Sequence, residues 1–115
     1  MIVSFNFYRD HWINRLYTCC EYGHVNIQFQ NGAIFEIGRY KDISHGLMVP
    51  KNLQEPDLSI KRNVKAVDLE LAMALYEDPI NLQTILWRNC IHFCSLALGE
   101  NHRSMRRLLR TLRNG

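Results

Sequence analysis

The sequence predicts an α+β fold in which a small antiparallel sheet packs against helices. Three observations carry this expectation. Residues 2–8 alternate apolar and polar side chains, residues 24–37 read as a β-hairpin about Gln30-Asn31-Gly32, and three later segments repeat apolar residues at helical spacing.

Taken in order, Val3, Phe5 and Phe7 alternate with Ser4, Asn6 and Tyr8 as a first strand. Asp10 is then a candidate cap for a helix carrying Trp12, Ile13, Leu16 and Tyr17, and Cys19 to Gly23 form a connector. The hairpin has two candidate registers. A two-residue Asn-Gly turn places Phe35 and Ile37 with the polar His24, Asn26 and Gln28. A three-residue loop with Gly32 in the left-handed position instead groups Val25, Ile27, Phe29, Phe35 and Ile37 on one face. The second register is preferred because it buries a clean apolar face, and it brings Glu36 to the same face as His24, diagonally across the ladder. Residues 38–59 are rich in turn formers (Gly38, Gly46, Pro50, Pro56), with Leu47-Met48-Val49 a short strand. Ile60, Arg62, Val64 and Ala66 alternate with Lys61, Asn63 and Lys65 as a further strand. A helix follows from about Asp68 to Tyr76, with Leu71, Ala74 and Leu75 on its stripe and Pro79 ending it. Leu82 to Trp87 lead to Asn89, a good N-cap, and Cys90 opens a helix that runs to Gly99. Met105, Leu108, Leu109 and Leu112 form the stripe of a last helix.

At 115 residues, 47% of them apolar, the chain is expected to be a single domain over residues 1–115. No apolar run is long enough for a transmembrane segment, and the opening residues lack the pattern of a signal peptide. The four cysteines, Cys19, Cys20, Cys90 and Cys94, are not spread as a disulfide framework. A reducing compartment, and so a cytoplasmic location, is therefore expected. Cys90, His92 and Cys94 invite a zinc reading, but on a helix residues 90 and 92 point to different sides and no Cys-x-x-Cys knuckle occurs. Neither a metal nor a cofactor is expected. The net charge of +3 belongs to residues 100–115, where Arg103, Arg106, Arg107, Arg110 and Arg113 follow Glu100 without an acidic residue. This basic segment is read as an amphipathic helix with its leucines on the domain and its arginines in water. An anionic partner at the Arg-rich C-terminus (nucleic acid, lipid or acidic protein) is the functional alternative.

The candidate chemistry centres on Cys90. At the first turn of a helix, unsatisfied amides and the positive dipole end stabilise a thiolate, and the Cys90 N–H is free to donate to an oxyanion. A nucleophile of this kind needs a base and a group that orients the base; His24 and Glu36 on one strand face supply them. Cys94 reads as packing, His92 as structural and pointing away from the nucleophile, and Tyr22 as a core aromatic. Cys19-Cys20 has no catalytic reading.

The run Asn89-Cys90-Ile91-His92-Phe93-Cys94 resembles the Asn-Cys-x-His-Phe nucleophile motif of the lecithin–retinol acyltransferase branch of papain-like proteins. Tyr22-Gly23-His24-Val25 resembles the Tyr-Ser-His-Val strand that carries the base in circularly permuted, NlpC-type papain-like hydrolases. The histidine-first order is the permuted one. Glu36 falls where some members of these families place the third, orienting residue. The resemblance covers most of residues 1–99 and implies a permuted papain-like topology and a thiol hydrolase or acyltransferase working through a thioester on Cys90. By the same resemblance the substrate is a peptide or acyl group, by default a peptidoglycan peptide amide, and the compact form is similar to bacteriophage proteins, which implies a virion-associated location as the alternative to the cytoplasm. Two departures stand out: Gly23 replaces the usual serine, and Glu36 stands where the acyltransferase branch generally has a second histidine. The rival expectation is a catalytically inactive module of the same fold with a structural or interaction role.

Overall fold

Alternation over residues 2–8 is realised as strand β1 (Ile2–Tyr8) of a five-stranded antiparallel sheet, seen in a computed structural model that describes residues 1–37, 46–48, 55–77 and 89–115. The other strands are β2 (His24–Phe29), β3 (Ile34–Glu36), β4 (Gly46–Met48) and β5 (Leu58–Asn63), in the order β4-β3-β2-β1-β5. The helices are α1 (Trp12–Thr18), α2 (Ala66–Glu77), α3 (Asn89–Ala97) and α4 (Met105–Asn114), so the chain is α+β. The segments around Gly38, Val49-Pro50, Pro79 and Leu82–Trp87 lie outside the described residues.

The hairpin takes the register that buries the apolar set. Ile27 pairs with Phe35 and Gln28 with Ile34, and Phe29 N–H donates to Ala33 O (2.8 Å), leaving Gln30, Asn31 and Gly32 as the loop. Gly32 sits at φ 92°, in the left-handed region that glycine enters without a Cβ penalty. Directly opposed residues share a face, so Val25, Ile27 and Phe35 line up with Phe5 and Phe7 of β1 and with Leu58 and Ile60 of β5. This side joins the core built by α2, α3 and α4. The opposite side is polar and hydrogen-bonded within itself: Asn6 Nδ2 donates to Gln28 Oε1 (2.9 Å) and Ser59 Oγ to Asn6 Oδ1 (2.8 Å).

Helix α3 is seated by stacking of Phe93 on Phe35, with ring centroids 4.6 Å apart, and Tyr76 of α2 meets Phe93 edge-on. Gly99 (φ 78°) closes α3 in a Schellman arrangement, Glu100 N–H donating to Ser95 O and Gly99 N–H to Leu96 O (both 2.9 Å). Ser104 then caps α4, its Oγ accepting from Arg107 N–H, and Met105, Leu108, Leu109 and Leu112 are buried, as their stripe predicts.

Several expectations are corrected. Strand β5 runs over Leu58–Asn63 and not to Ala66, because its ladder with β1 ends at the Ile2–Asn63 pair and the chain then has no partner strand. The cap of α1 is His11, whose side chain accepts from Ile13 N–H. Asp10 sits at φ 59° and accepts from Asn14 Nδ2 instead. In α2 the buried residues are Leu69, Ala72 and Tyr76, while Leu71 is 66% exposed and Leu75 also faces outward. That helix is apolar nearly all round, so periodicity alone does not choose its inner face; the Tyr76 contacts with Phe93 and His92 do. Asn89 is the first helical residue of α3 and its Oδ1 accepts from Arg103 Nη1 (3.0 Å).

These packing assignments have opposite mutational signatures. Phe93→Ala, which opens a cavity against Phe35 and Tyr76, is expected to destabilise the fold by about 3–5 kcal/mol in urea unfolding. Leu71→Ser is expected to change stability by less than about 0.5 kcal/mol, as for a surface position.

Candidate active site

The hairpin register delivers His24, Asn26 and Glu36 to one face of the sheet. His24 is the first residue of β2 and Glu36 the last of β3, and Asn26 stands directly across from Glu36 by extension of the Ile27–Phe35 register. Helix α3 begins at the same end of the sheet, with Cys90 as its second residue.

His24 is buried, and its Nε2 pairs with Glu36 Oε1. The Cys90 side chain is close enough to the same ring to raise its proton affinity. With Nε2 committed to Glu36, Nδ1 is the nitrogen left for a further partner. Burial acts most strongly on this imidazole and favours its neutral form. The hydrogen bonds and charges of Cys90 and Glu36 outweigh burial and raise the pKa from 6.5 to about 9. The fold therefore favours the protonated ring.

Sequence reading missed Asn26 as a functional candidate, although it placed the residue on the correct face. Asn26 Nδ2 donates to Glu36 Oε2 (3.0 Å) and approaches the Tyr8 hydroxyl (3.4 Å). Glu36 consequently uses one carboxylate oxygen on His24 and the other on Asn26, which fixes its plane. Tyr8, opposite His24 on β1, lays its ring beside the imidazole with centroids 5.9 Å apart. Asn26 Oδ1 is buried without a hydrogen-bond partner among the described residues. The signal available from sequence was polarity at a position flanked by two apolar residues on a sheet strand, which marks a buried polar face only once the face is known to be covered.

Position 23 takes glycine for a steric reason. A Cβ there would lie 2.7 Å from Asn14 Cβ of α1 and 3.1 Å from Arg9 O, while its N–H donates to Tyr8 O (3.0 Å). The strand can start at His24 only because α1 rests on a bare backbone.

Cys90, His92 and Cys94 go separate ways. Cys94 is fully buried in the core, where desolvation pushes its thiol pKa well up. His92 belongs to a second polar network. Arg103 Nη2 approaches its Nδ1 (3.4 Å), and a guanidinium only donates, so Nδ1 is the acceptor and also takes the Tyr76 hydroxyl. Nε2–H then donates to Asn101 Oδ1 (2.9 Å). Desolvation lowers the His92 pKa, consistent with a neutral ring in that tautomer. Arg103, read from sequence as one of the solvated tail arginines, instead bridges Asn89 and His92, the two neighbours of Cys90 in the first turn of α3. The tail reading holds for Arg106, Arg107, Arg110 and Arg113, which are exposed. Tyr22 is buried against Phe7 (centroids 5.7 Å), as expected of a core aromatic.

No family model, curated protein or solved structure matches the chain.

The raised His24 pKa has a signed consequence. A group that binds its proton more tightly when folded stabilises the fold fully below its unfolded pKa, near 6.5, and loses that contribution as pH rises toward about 9. The His24 ring signal is expected to titrate near pH 9 by NMR and to move toward lower pH in both Cys90→Ala and Glu36→Gln. The melting temperature is expected to fall between about pH 6.5 and 9, with a shallower fall in Glu36→Gln.

Proposed function

We propose that the protein is a thiol hydrolase or acyltransferase that works through a thioester on Cys90, with His24 as acid–base and Glu36 as the residue that orients His24. The observation that carries this reading is the single buried imidazole shared between a cysteine at a helix start and a carboxylate. A catalytic thiol needs that pairing, and a packing cysteine has no use for it. The short motifs around Cys90 and His24, which resemble those of circularly permuted papain-like hydrolases, support the same chemistry.

In the first half-reaction the proton of the Cys90–His24 pair resides on His24, and the Cys90 sulfur attacks the carbonyl carbon of an amide, ester or thioester. The carbonyl electron pair moves onto oxygen, where the Cys90 backbone N–H, unpaired within its own helix, donates to the oxyanion. Collapse of the tetrahedral species expels the amine, alcohol or thiol, which takes its proton from the imidazolium. In the second half-reaction His24 removes a proton from water or an acceptor, which attacks the thioester and releases Cys90. Glu36 keeps Nε2–H fixed, which leaves Nδ1 to serve the sulfur, and Asn26 holds Glu36 in turn.

The substrate class rests on the resemblance alone: peptide amides such as those of peptidoglycan first, lipid acyl groups second, with a bacteriophage setting. Glu36 in place of a second histidine argues against carrying over the lipid substrates of the acyltransferase branch.

Iodoacetamide labelling across about pH 5 to 8 tests the reading. Cys90 is expected to label first, with His24→Ala slowing it at acidic pH by about tenfold or more. Glu36→Gln is expected to lower turnover of a peptidoglycan-peptide substrate by roughly 10–100-fold, and Cys90→Ala to abolish it. Because imidazolium is the required acid, turnover should decline above about pH 9. Equal, slow labelling of Cys19, Cys20 and Cys90, unaffected by His24→Ala, would instead identify an inactive module of the same fold.

A further inference from the structure

Helix α1 is amphipathic in the reverse sense. Its apolar stripe faces outward, with Trp12 56%, Ile13 40%, Leu16 65% and Tyr17 52% exposed, whereas Thr18 is buried and Asn14 and Arg15 are half-buried. Its polar side is tied to the body: Thr18 Oγ1 donates to Tyr22 O (2.8 Å), and Asn14 packs on Gly23. Both ends are held by non-glycine residues in the left-handed region, Asp10 (φ 59°) before it and Cys19 (φ 52°) after it. A helix whose apolar stripe merely lacked a place in the core would relax by rotating inward; this one is fastened with the stripe in water.

The surroundings of the stripe are basic. Arg106 of α4 donates from Nε to Cys19 O (2.6 Å), which places the arginine side of α4 against the C-terminal end of α1. An open groove runs there between Trp12, Leu16, Cys19 and Arg106, with Arg15, Cys20 and Glu21 in its wall. Arg9 precedes α1 directly in the chain, and Arg113 lies about two turns beyond Arg106 on the same side of α4. Among the described residues the acidic side chains here are Asp10, engaged by Asn14, Glu21, hydrogen-bonded to Tyr22, and Asp57, which accepts from the Arg9 N–H (2.8 Å).

We propose that α1 is an interfacial anchor for an anionic lipid bilayer, with Trp12, Ile13, Leu16 and Tyr17 entering the headgroup–acyl boundary and Arg9, Arg15, Arg106 and Arg113 meeting lipid phosphates. Tryptophan and tyrosine favour that boundary because one end of each is apolar and the other polar, and the arginine stems reach along apolar surface to water. An exposed apolar stripe with cationic neighbours suits a soft, negatively charged plane. Among the described residues no helix is long and apolar enough to cross a membrane, so attachment is peripheral. The anchor is independent of the chemistry assigned to Cys90.

Co-sedimentation with phosphatidylcholine vesicles, with and without about 30% phosphatidylglycerol, tests the proposal. The full chain should pellet with the anionic vesicles at low salt and lose about tenfold in partitioning as salt rises from about 0.05 to 0.5 M. The double variant Trp12→Ala/Leu16→Ser, at exposed positions, should lose about tenfold or more at every salt concentration while melting at the wild-type temperature. The variant Arg9→Gln/Arg113→Gln should lose partitioning at low salt only. Wild-type protein that stays in the supernatant at low salt overturns the proposal, as does partitioning unchanged in the Trp12/Leu16 variant. Self-association of the wild type in sedimentation equilibrium, abolished by the same variant, would assign the stripe to a second copy and also overturn it.

Discussion

The constraint on which the rest of the structure depends is the register of the β2–β3 hairpin. A one-residue slip in an antiparallel pair sends every side chain of one strand to the other face. Here the slip would carry Phe35 away from Phe93 and Glu36 away from His24 in the same movement, dissolving core and site together. Gly32 in the left-handed region sets the loop that prevents it, and the Asn31 side chain braces that loop by accepting from Ala33 N–H (3.0 Å). Folding and chemistry are therefore not separable in this hairpin.

Helix α3 inherits that coupling. Its inner side is fastened by Phe93 and Cys94 to the apolar face of the sheet, which leaves its N-terminal turn to be brought to the start of β2. The turn is steadied from outside by Arg103, reaching back from the segment before α4 to Asn89 and His92, with Tyr76 of α2 on the same histidine. Two helices and the segment before α4 thus meet around the residues that flank Cys90. The two polar networks divide the work: one sets the proton on His24, the other sets the position of the helix that carries the sulfur.

What the sequence made legible, and what it did not, follows from where each signal resides. The hairpin register was legible because Val25, Ile27, Phe35 and Ile37 leave only one pairing with a clean apolar face, and the site pair His24–Glu36 came with it. The face of α2 was not, since Leu69, Leu71, Ala72, Leu75 and Tyr76 surround the helix and only tertiary contacts select among them. In α1 the periodicity correctly grouped Trp12, Ile13, Leu16 and Tyr17, but a stripe does not state whether it looks inward or outward. Arg103 was illegible because a polar side chain declares its role through its partners, and Asn89 and His92 belong to another element; Asn26 shared the legible face of Glu36, but its bond to that carboxylate shows only in the folded side chains.

Gly23 links two regions that otherwise have little to do with each other. Because Asn14 of α1 occupies the space of its missing side chain, the outward-facing helix and the strand carrying His24 share one atom-sized allowance. A side chain added at position 23 would therefore be felt in two places at once, pressing on α1 or shifting the strand that begins at His24. The glycine is a mechanical coupling: crowding at this one position would disturb the outward-facing helix and the hairpin together.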